Sequence, residues 1–449
     1  MNVLLAEFAS LMWGPWLLIL LLGTGCWLTF SLKGIQVRQI FYSLRLTFSK
    51  EREGEGDISH FGALMTALAA TVGTGNIAGV SIAVALGGPG AIFWMWLTGL
   101  VGMATKYSEG FLAVKYRQVN LKGEISGGPM YYLEKGLGQK WLAICFALFG
   151  AMAAFGIGNM VQANTTAHAL SRFLGVNSFF VGGVMMLLTA MVIIGGIKRI
   201  AETASYLVPI MVVIYFLGAL IIILNNLEHL GAGIAMILQD AFTGTAATGG
   251  FAGASLANTI RYGVARGLFS NESGMGSAPI AAAAAKTNQP SKQALVSMAG
   301  TFIDTLVVCS LTALTLSSTG VWISGETGVA LTLQAFSVGL PGLWGNLIVT
   351  IGTVTFAFST ILAWEYYGEK CFEYLFGEKH ILFYRYAWIV FVFVGAQIKL
   401  EMVWNFADAM NALMAVPNLI GLILLSGTLV KGTQSFEKGI REGTIHKFE

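Results

Sequence analysis

Apolar residues recur along the whole chain in long runs that are separated by short polar loops. Each run holds about 20 residues, the length that an α-helix needs to cross the hydrocarbon core of a bilayer. The pattern predicts an all-α, polytopic membrane protein with eleven transmembrane helices. The eleven segments lie at approximately 11–31, 60–86, 90–114, 141–171, 178–197, 203–224, 231–255, 294–317, 344–372, 381–398 and 402–430.

The second segment is interrupted at its centre by residues that disfavour a membrane helix. Residues 71–79 read TVGTGNIAG. Glycine is a poor helix former, and asparagine is costly in hydrocarbon. A break here exposes N–H groups that suit a carboxylate and C=O groups that suit a cation or an ammonium. The pattern therefore predicts half of a site for a small amino acid and a coupling ion, although helix packing through Gly75 and Gly79 also explains the glycines.

The seventh segment contains a second glycine-rich interruption, TGTAATGGFAG at 243–253. Segments 2 and 7 enter the membrane from opposite sides and lie five segments apart. We therefore predict an inverted repeat of five plus five helices, in which each unit opens with a broken helix and the two breaks face each other at the midplane. The first unit spans about 60–224, the second spans about 231–430, and segment 1 lies outside the repeat.

The basic residues are distributed unequally between the two sets of loops. Of the 26 Lys and Arg, all but Arg172 and Lys399 fall in or beside the loops after segments 1, 3, 5, 7 and 9, or in the tail. Positively charged loops stay in the cytoplasm. We therefore expect an external N-terminus and a cytoplasmic C-terminus.

Composition agrees with one transmembrane domain over residues 1–449 and no soluble domain. The chain is 55% hydrophobic and 11% charged, with a mean hydropathy of +0.71, whereas soluble domains carry about 25% charged residues. Its cysteines are scattered singly, without the spacing of a metal site or a disulfide framework. The first segment lacks the basic start of a cleavable signal peptide, so we expect it to be a permanent helix.

Three polar stretches between or beyond the segments receive separate predictions. Residues 256–293 are expected in the cytoplasm, in part as an interfacial helix, with the loop 270–277 as a turn that contacts a cytoplasmic gate. The loop 318–342 is expected to cover an outer vestibule. The tail, 431–449, is charged and expected to be solvated.

Three motifs together resemble those of the alanine/glycine:cation symporter family, also called the sodium:alanine symporter family. They are GTGNIAGV at 73–80, GGPMYYLEKGLG at 127–138 and FSNESGMGSAPIAAAAA at 269–285, and the resemblance covers nearly the whole chain. It implies a leucine-transporter-like fold for the last ten of eleven helices, with broken segments 2 and 7 and a site completed by segments 4 and 9.

Candidate substrate residues come from all four of these segments. The break in segment 2 offers backbone amides and the Asn76 side chain to a carboxylate, and the family implies that Gln162 lies near that carboxylate. Thr360 and Trp364 are four residues apart on one helix face, where Thr360 would accept from the ammonium and Trp364 would wall a small side-chain pocket. The full predicted set is Thr74, Gly75, Asn76, Gln162, Phe242, Gly249, Thr360 and Trp364.

The family's fold implies a sodium ion between carbonyls of segment 2 and hydroxyls of segment 9. The expected carbonyls are those of Ala70 and Gly73, and the expected hydroxyls are those of Thr355, Ser359 or Thr360. Such oxygen ligands suit a hard monovalent cation. The alternative is that these hydroxyls only bond to carbonyls of their own helix.

Asp304 lies ten residues into segment 8, at a depth where an acid is by default a functional candidate. It is a possible coupling acid that stays protonated, pairs with a basic residue or carries a proton. A structural hydrogen bond is the competing interpretation.

The sequence thus predicts a sodium-coupled symporter that takes up alanine and glycine across a bacterial inner membrane by alternating access. Its expected partners are a small neutral amino acid, sodium and lipid, with no nucleic acid and no cofactor beyond Na⁺. Proton coupling and a substrate such as serine are alternatives within the transporter class, and a channel lies outside it. An enzyme is disfavoured because no nucleophile–base or metal-ligand spacing occurs.

Overall fold

The computed structural model describes residues 2–48, 54–243, 256–398 and 400–445, and almost all of them are helical. The helices of the first part are α1 Asn2–Met12, α2 Pro15–Ser31, α3 Ile35–Thr47, α4 His60–Thr71, α5 Val80–Gly87, α6 Ala91–Lys115, α7 Pro129–Tyr131, α8 Lys140–Ala153, α9 Val161–Leu174, α10 Ser178–Ile193 and α11 Gly196–Asn225. The others are α12 Leu227–Thr243, α13 Leu256–Asn271, α14 Pro279–Ala283, α15 Pro290–Thr301, α16 Ser310–Thr319, α17 Gly328–Gly339, α18 Trp344–Phe376, α19 Ile381–Gly395, α20 Leu400–Leu424 and α21 Ser426–Arg441. Short 3₁₀ turns cover Val321–Ile323 and Glu378–His380, and a two-stranded antiparallel ribbon pairs Gln118–Val119 with Ile125–Ser126.

Several of these helices are continued by π-helical turns, which accommodate an extra residue per turn and are often found at functional sites. The π-helical turns are Gly75–Gly79 before α5, Tyr132–Gly136 after α7, Ala154–Met160 between α8 and α9, and Phe302–Cys309 between α15 and α16. Three of these turns each contain a buried polar residue, which is Asn76, Asn159 or Asp304. The sequence singles out Asn76 and Asp304.

The described helices confirm a multi-pass membrane protein. Six are long and apolar enough to cross a membrane, and a seventh span results if α4 and the bent helix after it count as one. The predicted total of eleven helices stays a prediction, because α10 and α19 are short and α6 carries the buried Lys106 and Glu109.

The break in segment 2 is confirmed. Helix α4 ends at Thr71, and the helix resumes over Gly75–Gly87 with a bend of 49°. We use α6, which follows directly, to name the two ends of the molecule: the Gly90 end, where α6 begins, and the Lys115 end, where α6 finishes.

Helix α13 corrects the prediction that residues 256–293 lie in the cytoplasm or at its interface. Thr259 donates its hydroxyl to the carbonyl of Gly87 at 2.7 Å, at the Gly90 end. Further along, Gly263 packs against Ala91, since a Cβ at Gly263 would lie 2.3 Å from the Ala91 carbonyl oxygen. Helix α13 therefore runs beside α6 into the core, and the residues after it, up to Ala285, are almost all buried.

Helix α12, predicted to begin the broken seventh span, packs instead at the Gly90 end. The Trp94 indole donates to the carbonyl of Ala241 at 2.9 Å, and Gly233 packs against Ser317 near the end of α16. The predicted interruption at 243–253 lies outside the described residues except for Thr243. The interruption that faces the first break is a later one, at residues 272–278 between α13 and α14.

The tail is not simply solvated, as the sequence predicted, because α21 packs on the bundle. Leu429 and Phe436 are buried, Thr433 lies 3.0 Å from the Tyr107 hydroxyl, and Glu437 pairs with Arg38 at 3.1 Å. The helix has a polar outer side, which explains why its composition alone resembled a solvated segment.

We expect Gly263→Ala to destabilise the protein, because the added methyl group would meet the backbone of Ala91 and force α13 away from α6. The melting temperature of detergent-solubilised protein would fall by several degrees. The matched control is Gly183→Ala within α10, where nothing lies within 4 Å of the new Cβ. Equal melting temperatures for the two variants would contradict the close packing of α13 on α6.

Candidate functional site

The first break is closed by the side chain of Asn76 and by a backbone turn. The Asn76 Oδ1 accepts the N–H of Gly73 at 2.9 Å, and the Asn76 N–H donates to the Gly73 carbonyl at 3.2 Å. The Asn76 Nδ2 donates to Asp304 Oδ1 at 2.7 Å. The sequence predicted that this amide would bind a substrate carboxylate, but in the structure the amide organises the break itself.

Asp304 joins the first break to the end of α13. Its carboxylate accepts hydrogen bonds from Asn76, from the Ser270 hydroxyl at 3.0 Å and from the Thr305 hydroxyl at 2.8 Å. It has no basic partner among the described residues, and its side chain is fully buried. The hydrogen-bonding interpretation of Asp304 therefore fits the structure, and the ion-pair interpretation does not.

The end of α13 packs directly against the first break, and the second interruption begins two residues after this contact. A Cβ at Gly75 would lie 3.3 Å from the Cα of Ser270, so these two backbones are in contact. Beyond Asn271 the helix unwinds, with positive φ angles of 54° at Glu272, 88° at Gly274 and 82° at Gly276. These angles belong to the left-handed region, which a continuous right-handed helix excludes.

Buried side chains from two other helices bind this unwound loop. Glu109 Oε1 on α6 accepts the N–H groups of Gly274 at 3.1 Å and Gly276 at 3.0 Å. Asn418 on α20 donates to the same Glu109 oxygen at 2.7 Å and to the carbonyl of Gly274 at 2.8 Å. Backbone groups that the broken helix leaves free inside the membrane are thereby satisfied, as the absence of water there requires.

Trp364 is tied to the second interruption through Glu272. The indole Nε1 donates to Glu272 Oε1 at 2.9 Å, and the Ser277 hydroxyl donates to the other oxygen at 2.6 Å. On the opposite side Trp364 packs against Gly158, where a Cβ would lie only 2.1 Å from the Trp364 Cβ. The predicted wall residue is therefore held between segment 4 and the unwound loop.

A buried lysine supplies positive charge beside this loop. Lys106 lies one turn before Glu109 on α6, and its Nζ has no hydrogen-bond partner among the described residues. It lines a cavity of about 20 Å³ together with Asn271 and Thr301, whose Nδ2 and Oγ1 are also unpartnered there. A cavity of this size holds roughly one water molecule, which would connect the three groups.

Threonines from helices beyond the break satisfy the carbonyls of the π-helical turn Gly75–Gly79. Thr312 on α16 donates to the Asn76 carbonyl at 2.8 Å. Thr332 on α17 donates to the Ile77 carbonyl at 2.9 Å. Helix α17 lies within the loop 318–342, so part of that predicted covering loop reaches the site.

Two predicted substrate residues keep polar atoms that bind nothing in the described part of the protein. They are the buried Thr74 Oγ1 and Gln162 Oε1. The Gln162 Nε2 donates to the Ile157 carbonyl at 3.0 Å, which leaves the amide oxygen as the free atom. A buried polar atom without a partner costs about 1–3 kcal/mol, so these atoms favour a polar ligand.

Oxygen atoms of α4 and α18 converge beside the first break. The hydroxyls of Ser359 and Thr360 both lie close to the Ala69 carbonyl, at 3.3 and 3.1 Å, and each is 2.9 Å from the Phe356 carbonyl. Gly73 completes the cluster, because a Cβ there would lie 2.7 Å from Thr360 Oγ1 and 3.9 Å from the Ala70 carbonyl oxygen. Neutral oxygen ligands in this number suit a sodium ion.

Three predicted residues are not part of these clusters. The Thr355 hydroxyl is partly exposed and donates to the Ile351 carbonyl on its own helix at 2.8 Å. Phe242 is 60% exposed and packs edge-on against Phe93 and Trp94, so it does not line the site. Gly249 lies outside the described residues.

The residues that the sequence did not assign to the site lie mainly in one motif. Ser270 and Glu272 belong to the stretch that carries the family resemblance, and the glycines that follow mark a non-helical backbone. The sequence contains this signal, but the apolar run that ends near residue 255 indicated a membrane segment more strongly. Lys106 and Glu109 carried a clearer signal, since charged residues inside an apolar segment are functional candidates.

Comparison with known proteins identifies relatives of this chain. The profile of the sodium:alanine symporter family matches residues 1–449. The chain is 54% identical over 439 residues to the sodium/alanine symporter AgcS of Methanococcus maripaludis, covering 96% of both chains. It is 38% identical over 441 residues to the probable sodium/glutamine symporter GlnT of Bacillus subtilis, covering 97% of this chain and 90% of that one.

A solved structure shares the fold at low sequence identity. It is a Na⁺-coupled sialic acid symporter in a substrate-bound outward-open state, with a TM-score of 0.55 and 13% identity over 89% of this chain and 86% of the other. This structural similarity shows a shared fold, whereas the family profile and the sequence identities show common ancestry. This chain belongs to the sodium:alanine symporter family.

Proposed function

We propose that the protein is a sodium-coupled symporter of small neutral amino acids, alanine and glycine, that works by alternating access. The observation that carries the proposal is the pair of broken helices, interrupted at 72–74 and 272–278, whose neighbouring residues Asn76 and Ser270 both donate hydrogen bonds to Asp304. Unwound helices at midplane depth are how transporters expose peptide dipoles to a charged solute.

The first break offers donors for a carboxylate. The N–H groups of Thr74 and Gly75 make no hydrogen bond with another described residue, and the Thr74 hydroxyl is also free. These groups lie at the start of a helix, where the helix dipole favours negative charge. Gln162 was expected near the carboxylate, but its Nε2 already donates to the Ile157 carbonyl and only its amide oxygen is free. We therefore assign the Gln162 oxygen, together with the Thr360 hydroxyl, to the substrate ammonium as acceptors.

Trp364 limits the size of the substrate. Its ring is fixed by Glu272 on one side and by Gly158 on the other, so it has little freedom to move aside. A wall of this kind leaves room for a hydrogen atom or a methyl group, which supports glycine and alanine as substrates.

Sodium is coupled to the substrate through the shared backbone of the first break. The ion would bind the oxygens of Ala69, Ala70, Gly73, Phe356 and Ser359, and Gly73 directly precedes the amides that bind the carboxylate. Fixing that backbone favours substrate binding, and by linkage the substrate raises sodium affinity by the same factor. No covalent step is involved, so the protein is not an enzyme, and it needs no cofactor besides the coupling ion.

The directions of the two broken helices support the inverted repeat and the predicted orientation. Helices α4 and α5 run from the Lys115 end to the Gly90 end, and α13 and α14 run the opposite way. With basic loops at the Lys115 end, that end faces the cytoplasm. We infer eleven spans in a bacterial inner membrane, with the N-terminus outside, the C-terminus inside and the second broken helix at 256–283 rather than 231–255.

Reconstituted protein should accumulate labelled alanine against its gradient when an inward sodium gradient is imposed. The Ser359→Ala substitution should weaken sodium binding. Losing one oxygen ligand to a charge costs about 1.5–3 kcal/mol, so the sodium concentration for half-maximal uptake should rise about tenfold or more. The matched control is Thr353→Ala, whose hydroxyl donates to the Val349 carbonyl of its own helix. If uptake is independent of sodium and is driven by a proton gradient, the coupling ion is a proton and the sodium assignment is wrong.

Asn76→Ala should weaken alanine binding, because it removes the cap of Gly73 and one of the donors to Asp304. Leaving a buried acid short of a donor costs about 1–3 kcal/mol, which corresponds to a rise of about five- to 150-fold in the alanine dissociation constant. Isothermal titration in saturating sodium measures it. Asn226→Ala, which removes only a bond to the Ile222 carbonyl at a helix end, serves as the control. Wild-type affinity in the Asn76 variant would contradict the assigned first half of the site.

Trp364→Ala should widen the range of transported side chains. Removing the indole opens the pocket, so glutamine should compete with labelled alanine in the variant more strongly than in the wild type, by about tenfold or more. Trp141→Ala, at a residue that is 62% exposed, should leave the competition unchanged. An unaltered substrate range in the Trp364 variant would show that another residue sets the size limit.

A further inference from the structure

Two adjoining cavities open at the Gly90 end of the molecule, beyond the first break. The deeper one has a volume of about 300 Å³ and extends from Ala78 and Ile82, next to the break, to Thr327 and Val329. The outer one has a volume of about 460 Å³ and extends to Glu326 and Asn346. They share the lining residues Ala169, Arg172, Ala330 and Leu333, so together they form a vestibule that leads toward the site.

The outer cavity carries one positive and one negative side chain that do not pair with each other. Arg172, at the end of α9, forms no ion pair or hydrogen bond with another described residue. Glu326, in the turn before α17, uses only its backbone N–H, which donates to Ser324. Gln334 adds an amide oxygen that is shielded from water and accepts from no described residue.

Arg172 lies at the end of the molecule that holds fewer basic residues. Most of the others lie in or beside the loops at the Lys115 end or in the tail, although α13 places Arg261 and Arg266 toward the Gly90 end. Arg172 does not stabilise the fold through a salt bridge, since it makes none with a described residue.

We propose that this outer cavity is a second, weaker binding site for a zwitterionic amino acid, through which the substrate passes on its way to the first break. Arg172 binds the carboxylate, because a guanidinium presents a planar set of donors that matches it. Glu326 and the Gln334 oxygen accept from the ammonium. This inference rests on the proposed amino-acid transport and adds a place where the substrate binds before it enters the central site.

The site is weak because both charges are exposed to solvent. Exposed ion pairs contribute about 0–1 kcal/mol each, so the two together support only weak binding, with a dissociation constant of roughly tens of millimolar or more. Such a site raises the substrate concentration near the central site, and it binds the substrate too weakly to withhold it from that site. Its effect is greatest at low ionic strength, because salt screens exposed charges over about 10 Å at 0.1 M.

Arg172→Gln and Glu326→Gln should each raise the KM for alanine about three- to tenfold at low ionic strength and leave the maximal rate unchanged. Ionic strength is varied with choline chloride at constant sodium, and the difference from wild type should shrink as choline chloride is added. The control is Glu228→Gln, an exposed acid of α12 that lies outside both cavities. The double charge reversal Arg172→Glu with Glu326→Arg keeps one charge of each sign and should recover most of the wild-type KM.

A binding measurement tests the site without transport. In wild-type protein at low ionic strength, labelled alanine should bind to a second, weaker site after the central site is filled, and Arg172→Gln should abolish this second binding while leaving the central one. Wild-type KM values in both single variants, or a second bound alanine that survives Arg172→Gln, would overturn this second site while alanine accumulation upholds the proposed function. Failure of the wild type to accumulate alanine would instead reject the proposed function, and the binding measurement would still decide the second site.

Discussion

The structure depends on one constraint: a peptide group that leaves a helix inside a bilayer must find another hydrogen-bond partner. Here two segments leave their helices at the same place, and the buried carboxylate of Asp304 lies between them, accepting from Asn76 on one side and Ser270 on the other. An acid is costly at this depth unless its lone pairs are satisfied. Each break therefore stabilises the acid, and the acid holds the two breaks together.

Several other backbone groups of the breaks are satisfied by side chains from four further helices. Glu109 and Asn418 bind the unwound loop after α13, and Thr312 and Thr332 bind carbonyls of the π-helical turn after the first break. Because these donors and acceptors come from separate helices, a rigid movement of any one helix exchanges some of these bonds. Alternating access requires this kind of discrete exchange between packed arrangements. The network supplies a physical route by which the proposed ion on α18 would affect the proposed solute beyond Gly73.

The residues proposed for substrate selectivity and those proposed for sodium coupling lie within one short stretch of α18. The hydroxyl oxygens of Ser359 and Thr360 lie close to a carbonyl of α4, and Trp364, one turn further along α18, donates to Glu272 of the unwound loop. One helix thus carries residues that we propose for ion binding and the residue that we propose to limit solute size. Its position is fixed by close packing on Gly158, where no larger residue fits. A change in this packing is expected to affect both properties together.

The sequence by itself determined the membrane class, the break at Gly73–Asn76, the polar residues of α18 and the family, because apolar run length, misplaced glycines and short motifs are local properties. It placed the second break too early, since the glycines at 244–253 form a stronger local pattern than NESGMGS at 271–277. It also assigned the α21 segment to a solvated tail. Only the tertiary structure decided these points, because whether a moderately polar helix is buried depends on partners far away in the chain. Glu109, Asn418 and Gly87 satisfy the polar groups of 256–277, and no local window contains that information.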